Sequence, residues 1–176
     1  DLLPEAGAAA ARHGVYAAAA RSLIAQHQLS ELADVAAAVD VPVVVVKGPV
    51  VAEACPDRIL RAYNDLDLLV PAGRAEPLIA ALLDAGYQSK VSGDRATHFP
   101  PLVPQGNGLR LEVHTALDHR PDGGRITFAR WSARLQPWDA HPGLWVPDPV
   151  DHAVYLVDHA VLRHELLGGL QLLTDL

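Results

Sequence analysis

Two aspartates stand two positions apart in the segment Asp65-Leu66-Asp67-Leu68-Leu69-Val70. In a strand, a side-chain period of two puts both carboxylates on one face and Leu66 and Leu68 on the other. Neighbouring carboxylates repel one another and raise their own ionisation cost unless a cation lies between them. A hard divalent ion needs this arrangement: oxygen ligands on a rigid element, with room left for substrate phosphates. A strand end carrying two solvated acids is the competing reading. Asp is disfavoured in strands, and here two of them begin an otherwise strongly apolar one, which counts toward a site.

Other residues supply the complementary chemistry. Glu112 adds a third carboxylate on a later segment in which Leu109, Leu111 and Val113 alternate with Arg110, Glu112 and His114. If the two strands are neighbours, three acids converge and can hold a pair of Mg²⁺ ions. Such a pair activates an attacking hydroxyl and stabilises leaving pyrophosphate. His114 shares that face as a general base or substrate contact. The alternative for Glu112 and His114 is the polar face of a half-solvated strand.

Lys47-Gly48 ends an earlier apolar run; a glycine there lets backbone N–H groups approach an anion, and a following helix start favours phosphate. Arg61, four residues before Asp65, is a bidentate phosphate donor. His152 and His159 are seven apart on one helical face that Arg163 continues, either as a substrate or base pocket or as structural histidines. Their spacing and the lack of a cysteine partner argue against zinc. His13 and His27 read as exposed helix residues, and His98, His119 and His141 carry no usable signal.

The elements that must hold these groups follow from patterning. The first forty residues read as helix: Ala6 to Ala20 is alanine-rich, and Ser30 offers an N-cap for a second piece with Leu32, Val35, Ala36 and Val39 at helical spacing. Val43 to Val46 is apolar on both faces, as in a strand inside a sheet. The Asp65 to Val70 strand ends at Pro71. Glu76 to Ala85 is an amphipathic helix with Leu78, Ile79, Leu82 and Leu83 inward and Gly86 as its stop. Tyr87 to Val91 is a strand, and Phe99 to Val103 pairs with Leu109 to Thr115 around the loop Pro104 to Gly108. Residues 118–149 are Pro/Gly-punctuated, with short helical character around Phe128 to Leu135. There Trp131, Trp138 and Trp145 anchor an irregular segment rather than forming a base-stacking platform. Val150 to Leu167 is a helix whose inward stripe is Val150, Val154, Val157, Val161 and Leu162. Gly168-Gly169 interrupts it before Leu170 to Leu176. This order predicts an α+β fold, a mixed sheet flanked by helices with helical N- and C-terminal elements. It divides into an N-terminal helical segment (1–40), an α/β core (41–117) and an irregular segment with C-terminal helices (118–176), packed as one unit.

Composition bounds the rest. The chain has 176 residues, 50% hydrophobic and 20% charged, which is enough for a sizeable core and argues against disorder. Fourteen Lys and Arg against 21 Asp and Glu give a net charge of −7. That argues against long nucleic acid as a partner and leaves room for a local basic pocket. One cysteine, Cys55, excludes an intramolecular disulfide framework and fits a reducing, cytoplasmic setting. No membrane span or signal peptide is legible. Methionine is absent even at position 1, and Leu176 falls inside an apolar helical pattern, so both ends read as processing boundaries.

The stretch from Val43 to Val70 (apolar strand, Lys47-Gly48-Pro49, Arg61, Asp65-Leu66-Asp67-Leu68-Leu69-Val70) resembles the uncharacterised nucleotidyltransferase family of the polymerase-β-like nucleotidyltransferase superfamily. Leu111-Glu112-Val113-His114 and the helix bearing His152 and His159 resemble later parts of that family. The resemblance implies a nucleotidyltransferase-like sheet, with Asp65 and Asp67 as the Mg²⁺ or Mn²⁺ ligands and Glu112 as third carboxylate. Gly48 would stand in the phosphate turn; Lys47, Arg61, His114 and His159 would be substrate-binding. The wider superfamily has Gly-Ser or Gly-Gly in that turn. Here Pro49 removes a backbone donor, so phosphate binding leans on Lys47 or Arg61. The implied activity moves a nucleoside monophosphate from an NTP such as ATP to an acceptor hydroxyl or phosphate. The acceptor would be a small molecule, peptide or protein, in a biosynthetic tailoring role. A toxin-type enzyme acting on RNA or protein and a non-catalytic nucleotide-binding domain are the alternatives.

Overall fold

A computed structural model describes residues 5–89, 99–119 and 125–164 of the chain. A long helix α1 (Glu5–Ala38) leads into β1 (Val44–Val46), a short α2 (Gly48–Ala54), β2 (Asp65–Leu69) and α3 (Ala75–Asp84). Next come β3 (Gln88–Ser89), β4 (Leu102–Val103), β5 (Arg110–His114) and a hairpin of β6 (Ala116–His119) and β7 (Arg125–Thr127). The described part closes with α4 (Phe128–Trp131), β8 (Gln136–Pro137), β9 (Trp145–Val146) and α5 (Pro149–His164).

A seven-stranded mixed sheet runs β3-β4-β5-β2-β1-β9-β8. At its centre β1 pairs antiparallel with β2, and β2 pairs parallel with β5. The expected β4–β5 hairpin forms, with Leu102 opposite Leu111. The four valines from Val43 to Val46 are fully buried, and they divide by parity as a doubly covered strand requires. Val43 and Val45 join Leu66, Leu68, Leu111 and Val113 in a core against α1 and α3. Val44 and Val46 join Leu69, Leu117, Ile126, Trp131 and Tyr155 on the opposite face, under α4 and α5. Buried Ala25, Leu29, Leu32, Ala33 and Ala36 place α1 in the first of these cores. The small residues let its backbone lie close to the sheet.

Several expectations are corrected. Ser30 starts no new helix: α1 is continuous, and the Ser30 hydroxyl donates to the Gln26 carbonyl one turn back (3.2 Å). Leu83 of α3 is 42% exposed, while Leu78 and Leu82 carry the packing; Gly86, at φ 98°, ends the helix as expected. The valine stripe of α5 faces outward. Val150, Val154, Val157 and Val161 are exposed, and His152, Tyr155 and Ala160 are buried instead. Among its described residues the irregular segment holds the end of β6 and the short strands β7, β8 and β9, the last of which pairs parallel with β1. The tryptophans do act as anchors: Trp131 and Trp138 are buried, and Trp145 packs on the second core. The strand expected from Tyr87 is seen at Gln88–Ser89. Its continuation, His98, the side chains of His119, Leu162 and Arg163, and the segment after His164 lie outside the described residues.

Candidate active site

The parallel register of β2 and β5 builds the site. Asp65 lies opposite Arg110, Asp67 opposite Glu112 and Leu69 opposite His114, so two short alternating sequences put five polar side chains on one sheet face. Ligand atoms of Asp67, Glu112 and His114 all lie within 4.8 Å of one another. Asp67 is the buried member, at 3% exposure; Glu112 and His114 are half-buried.

Asp67 Oδ1 meets Lys47 Nζ at 2.9 Å and His114 Nε2 at 3.0 Å. Burial pushes its carboxyl up, but the hydrogen bond with His114 and the charge of Lys47 outweigh that and hold it at about 2. Asp65 belongs to a second contact. Arg110 NH2 lies 2.9 Å from Asp65 Oδ2 and 2.8 Å from Glu112 Oε1, so one guanidinium nitrogen spans both carboxylates. Arg110 was legible only as a polar-face residue. Its role comes from standing in register with Asp65, which the sequence does not specify.

Lys47 sits in the sharp turn from β1 to α2 with φ 59° and ψ −125°, a conformation that costs a side-chain-bearing residue about 1–3 kcal/mol. Its N–H donates to His152 Nε2 of α5 at 2.9 Å, and its carbonyl accepts from Val51 N at 2.9 Å. Gly48 is needed for packing: a Cβ there would lie 2.6 Å from Tyr63 Cβ and 2.8 Å from Tyr63 Cγ. Pro49 falls in the first turn of α2, where a missing N–H breaks no helical bond. Arg61 is buried ahead of β2 and donates through NH1 to the Ala62 carbonyl. His152 and His159 do share a side of α5, with Tyr155 between them at ring-centroid distances of 6.4 and 5.8 Å. His141, which carried no sequence signal, is buried against Trp138 on the other side of the sheet.

The donor set suits a divalent cation. Two carboxylates and an imidazole converge from adjacent strands, and cationic side chains already neutralise the acids. Mg²⁺ takes the oxygens and keeps waters or phosphates, while Mn²⁺ also accepts the imidazole nitrogen. A cleft of about 520 Å³ between Asp40, Val41, Pro71, Arg74 and Trp145 lies at the opposite ends of β1 and β2 and is lined by none of Asp65, Asp67 and Glu112.

The whole chain, residues 1–176, matches the family described as Uncharacterised nucleotidyltransferase, and the chain belongs to it. No curated protein matches it in sequence. Among solved structures, a Thermotoga maritima protein assigned as a nucleotidyltransferase is 16% identical, with a TM-score of 0.58 over 80% of this chain and 88% of that one. The lincosamide antibiotic adenylyltransferase LnuA, solved with lincomycin bound, is 15% identical, with a TM-score of 0.52 over 81% of this chain and 92% of that one. These likenesses agree on the fold, and the family membership makes the chain a nucleotidyltransferase. Among the described residues no helix is long and apolar enough to cross a membrane.

Proposed function

We propose that this nucleotidyltransferase depends on Mg²⁺ or Mn²⁺ and moves a nucleoside monophosphate from a nucleoside triphosphate to a hydroxyl or phosphate of its acceptor, releasing pyrophosphate. The observation that carries this reading is the meeting of Asp67, Glu112 and His114 on one sheet face. Asp67 and Glu112 would hold the metal with His114. Asp65 would complete the acidic set from the same face, where Arg110 ties it to Glu112. A bound divalent ion supplies charge neutralisation at the α-phosphate and the leaving pyrophosphate.

The remaining steps belong to the chain's own groups. Lys47, with a partly exposed side chain beside Asp67, binds the phosphates, and Arg61 ahead of β2 is the second phosphate donor we assign. Gly48 keeps the β1–α2 turn close to Tyr63 and so fixes where Lys47 stands. Glu112 receives the acceptor's proton as its oxygen bonds to the α-phosphorus and the bond to pyrophosphate breaks. His159 contributes a substrate contact from α5.

The net charge of −7 favours a small molecule, peptide or protein acceptor over long nucleic acid. A small hydroxyl-bearing acceptor, as in antibiotic adenylylation, and a biosynthetic tailoring role are the forms we favour. In the test, Mn²⁺ with a non-hydrolysable triphosphate raises the melting temperature of the wild type but not of Asp67→Asn. Labelled triphosphate then marks an acceptor in a cell extract. No thermal shift with any nucleotide would reject the reading.

A further inference from the structure

Lys47 is held at three points that belong to three different elements. Its side chain meets Asp67 of β2, its carbonyl accepts from Val51 of α2, and its N–H donates to the imidazole of His152 on α5, 105 positions later in the chain. The last contact has a fixed polarity. A backbone N–H can only donate, so His152 Nε2 must carry the lone pair and the ring proton must sit on Nδ1. His152 is itself fixed: it is 6% exposed, its own N–H bonds the Asp148 carbonyl at 2.9 Å, and its ring stacks on Tyr155.

The turn gains from such a restraint. At φ 59° and ψ −125° Lys47 occupies backbone space that side-chain-bearing residues avoid, and such residues persist only where their surroundings over-determine them. We infer that His152 is a positioning residue of the site, accepting the Lys47 N–H through Nε2 and so holding the strand-to-helix turn in the conformation that aims the Lys47 ammonium at Asp67. Through His152, α5 acts on the site by way of the turn, without that imidazole touching the substrate. The consequence for catalysis rests on the nucleotidyl-transfer reading, while the hydrogen bond and its effect on the turn do not.

The test begins with the unmodified protein. Long-range ¹H–¹⁵N spectra of the histidine rings, recorded well above the ordinary imidazole range of pH, give the tautomer directly. The expected result is an unprotonated Nε2 and a protonated Nδ1 for His152; a proton on Nε2 overturns the proposal even if every variant fails to fold. Two substitutions then separate hydrogen bonding from bulk. His152→Leu removes the acceptor and keeps apolar volume, and His152→Gln returns an oxygen acceptor near the place of Nε2.

The Lys47 amide resonance should move in the Leu variant and return toward its original position in the Gln variant. KM for the triphosphate should rise about tenfold in Leu, with a smaller change in kcat, and recover in Gln. Equal behaviour of the two variants overturns the positioning role. Should no triphosphate bind to the wild type while the tautomer and amide shifts come out as expected, the nucleotidyl-transfer reading fails and the positioning of Lys47 stands.

Discussion

Asp67 and Glu112 are register partners across the parallel pair of β2 and β5. That single alignment makes a site of two sequences that are each unremarkable strands. The same register sets Asp65 beside Arg110, and it sends Leu66, Leu68, Leu111 and Val113 into one core while the acids face the other way. Shifting either strand by one residue would turn the carboxylates into the apolar core against α1 and α3 and move the leucines to the acids' face, so the hydrophobic pattern that stabilises the sheet also fixes the acid cluster.

The two aspartates look alike in sequence but should behave differently. The Asp67 side chain is 4% exposed and engaged by Lys47 and His114, whereas that of Asp65 is 35% exposed and paired with Arg110. Asp67→Asn is expected to cost about 1–3 kcal/mol of stability, because a half-buried ammonium loses its counter-charge. Asp65→Asn should cost less than about 1 kcal/mol, as exposed ion pairs do. On activity, Asp67→Asn should lose roughly 10²–10³-fold. Urea midpoints and turnover of the two variants, measured side by side, check both statements.

Acid should remove the contribution of Asp67 late. Its carboxyl titrates near about 2 in the folded chain against an ordinary value of 3.8. A depressed folded-state value means that stabilisation is present in full above the unfolded value and is lost as pH falls through the folded one. The stability gap between the wild type and Asp67→Asn should therefore hold from neutrality down to about pH 5 and close between about 4 and 2. Denaturation midpoints across this range measure it; a gap independent of pH would mean that Asp67 is not ionised in the folded protein.

Much of this was legible in the residues. The valine run, the Asp-x-Asp strand and the Arg110 to His114 alternation each announce a strand and its polar face. Local patterning could not give the pairing: that β2 and β5 are parallel neighbours depends on long-range topology. Two-residue strands such as β8 and β9 leave no periodicity to read. Lys47 in a positive-φ turn was equally hidden, because its conformation is imposed by contacts with α2, β2 and α5 and not by its own propensity. On α5 the apolar pattern misled outright. Valines recurring at helical spacing look like a core stripe, yet the buried side holds His152 and Tyr155, whose polar atoms suit the edge of the acidic site.

That reversal on α5 gives a contrast in stability. Val154 and Val157 are 45% and 43% exposed, while Tyr155 between them is 1% exposed and packs edge-on to Trp131 at 5.9 Å. Serine at either valine should change stability by no more than about 0.5 kcal/mol. Tyr155→Ala should cost about 3–5 kcal/mol, since it opens a cavity beside Val44, Val46 and Leu69. Chemical denaturation of the three variants decides it, and a large loss at Val154 or Val157 would mean that the stripe is covered in solution.

Gly48 separates packing from chemistry at the turn. If the glycine served only to bring backbone N–H groups near a phosphate, alanine would alter triphosphate binding and leave stability almost unchanged. The short approach of Tyr63 says otherwise. The closest overlap would be with Cβ, which is bonded to the Tyr63 backbone and cannot swing aside like the end of a long side chain, and Cγ lies just beyond it. Gly48→Ala should therefore cost about 1–3 kcal/mol through overpacking. In a Tyr63→Gly background, which removes both of those atoms, that penalty should shrink, giving a coupling energy of about 1 kcal/mol or more between two sites in contact. A double-mutant cycle on urea midpoints measures the coupling, and additive losses would return Gly48 to the role of a phosphate-turn glycine alone.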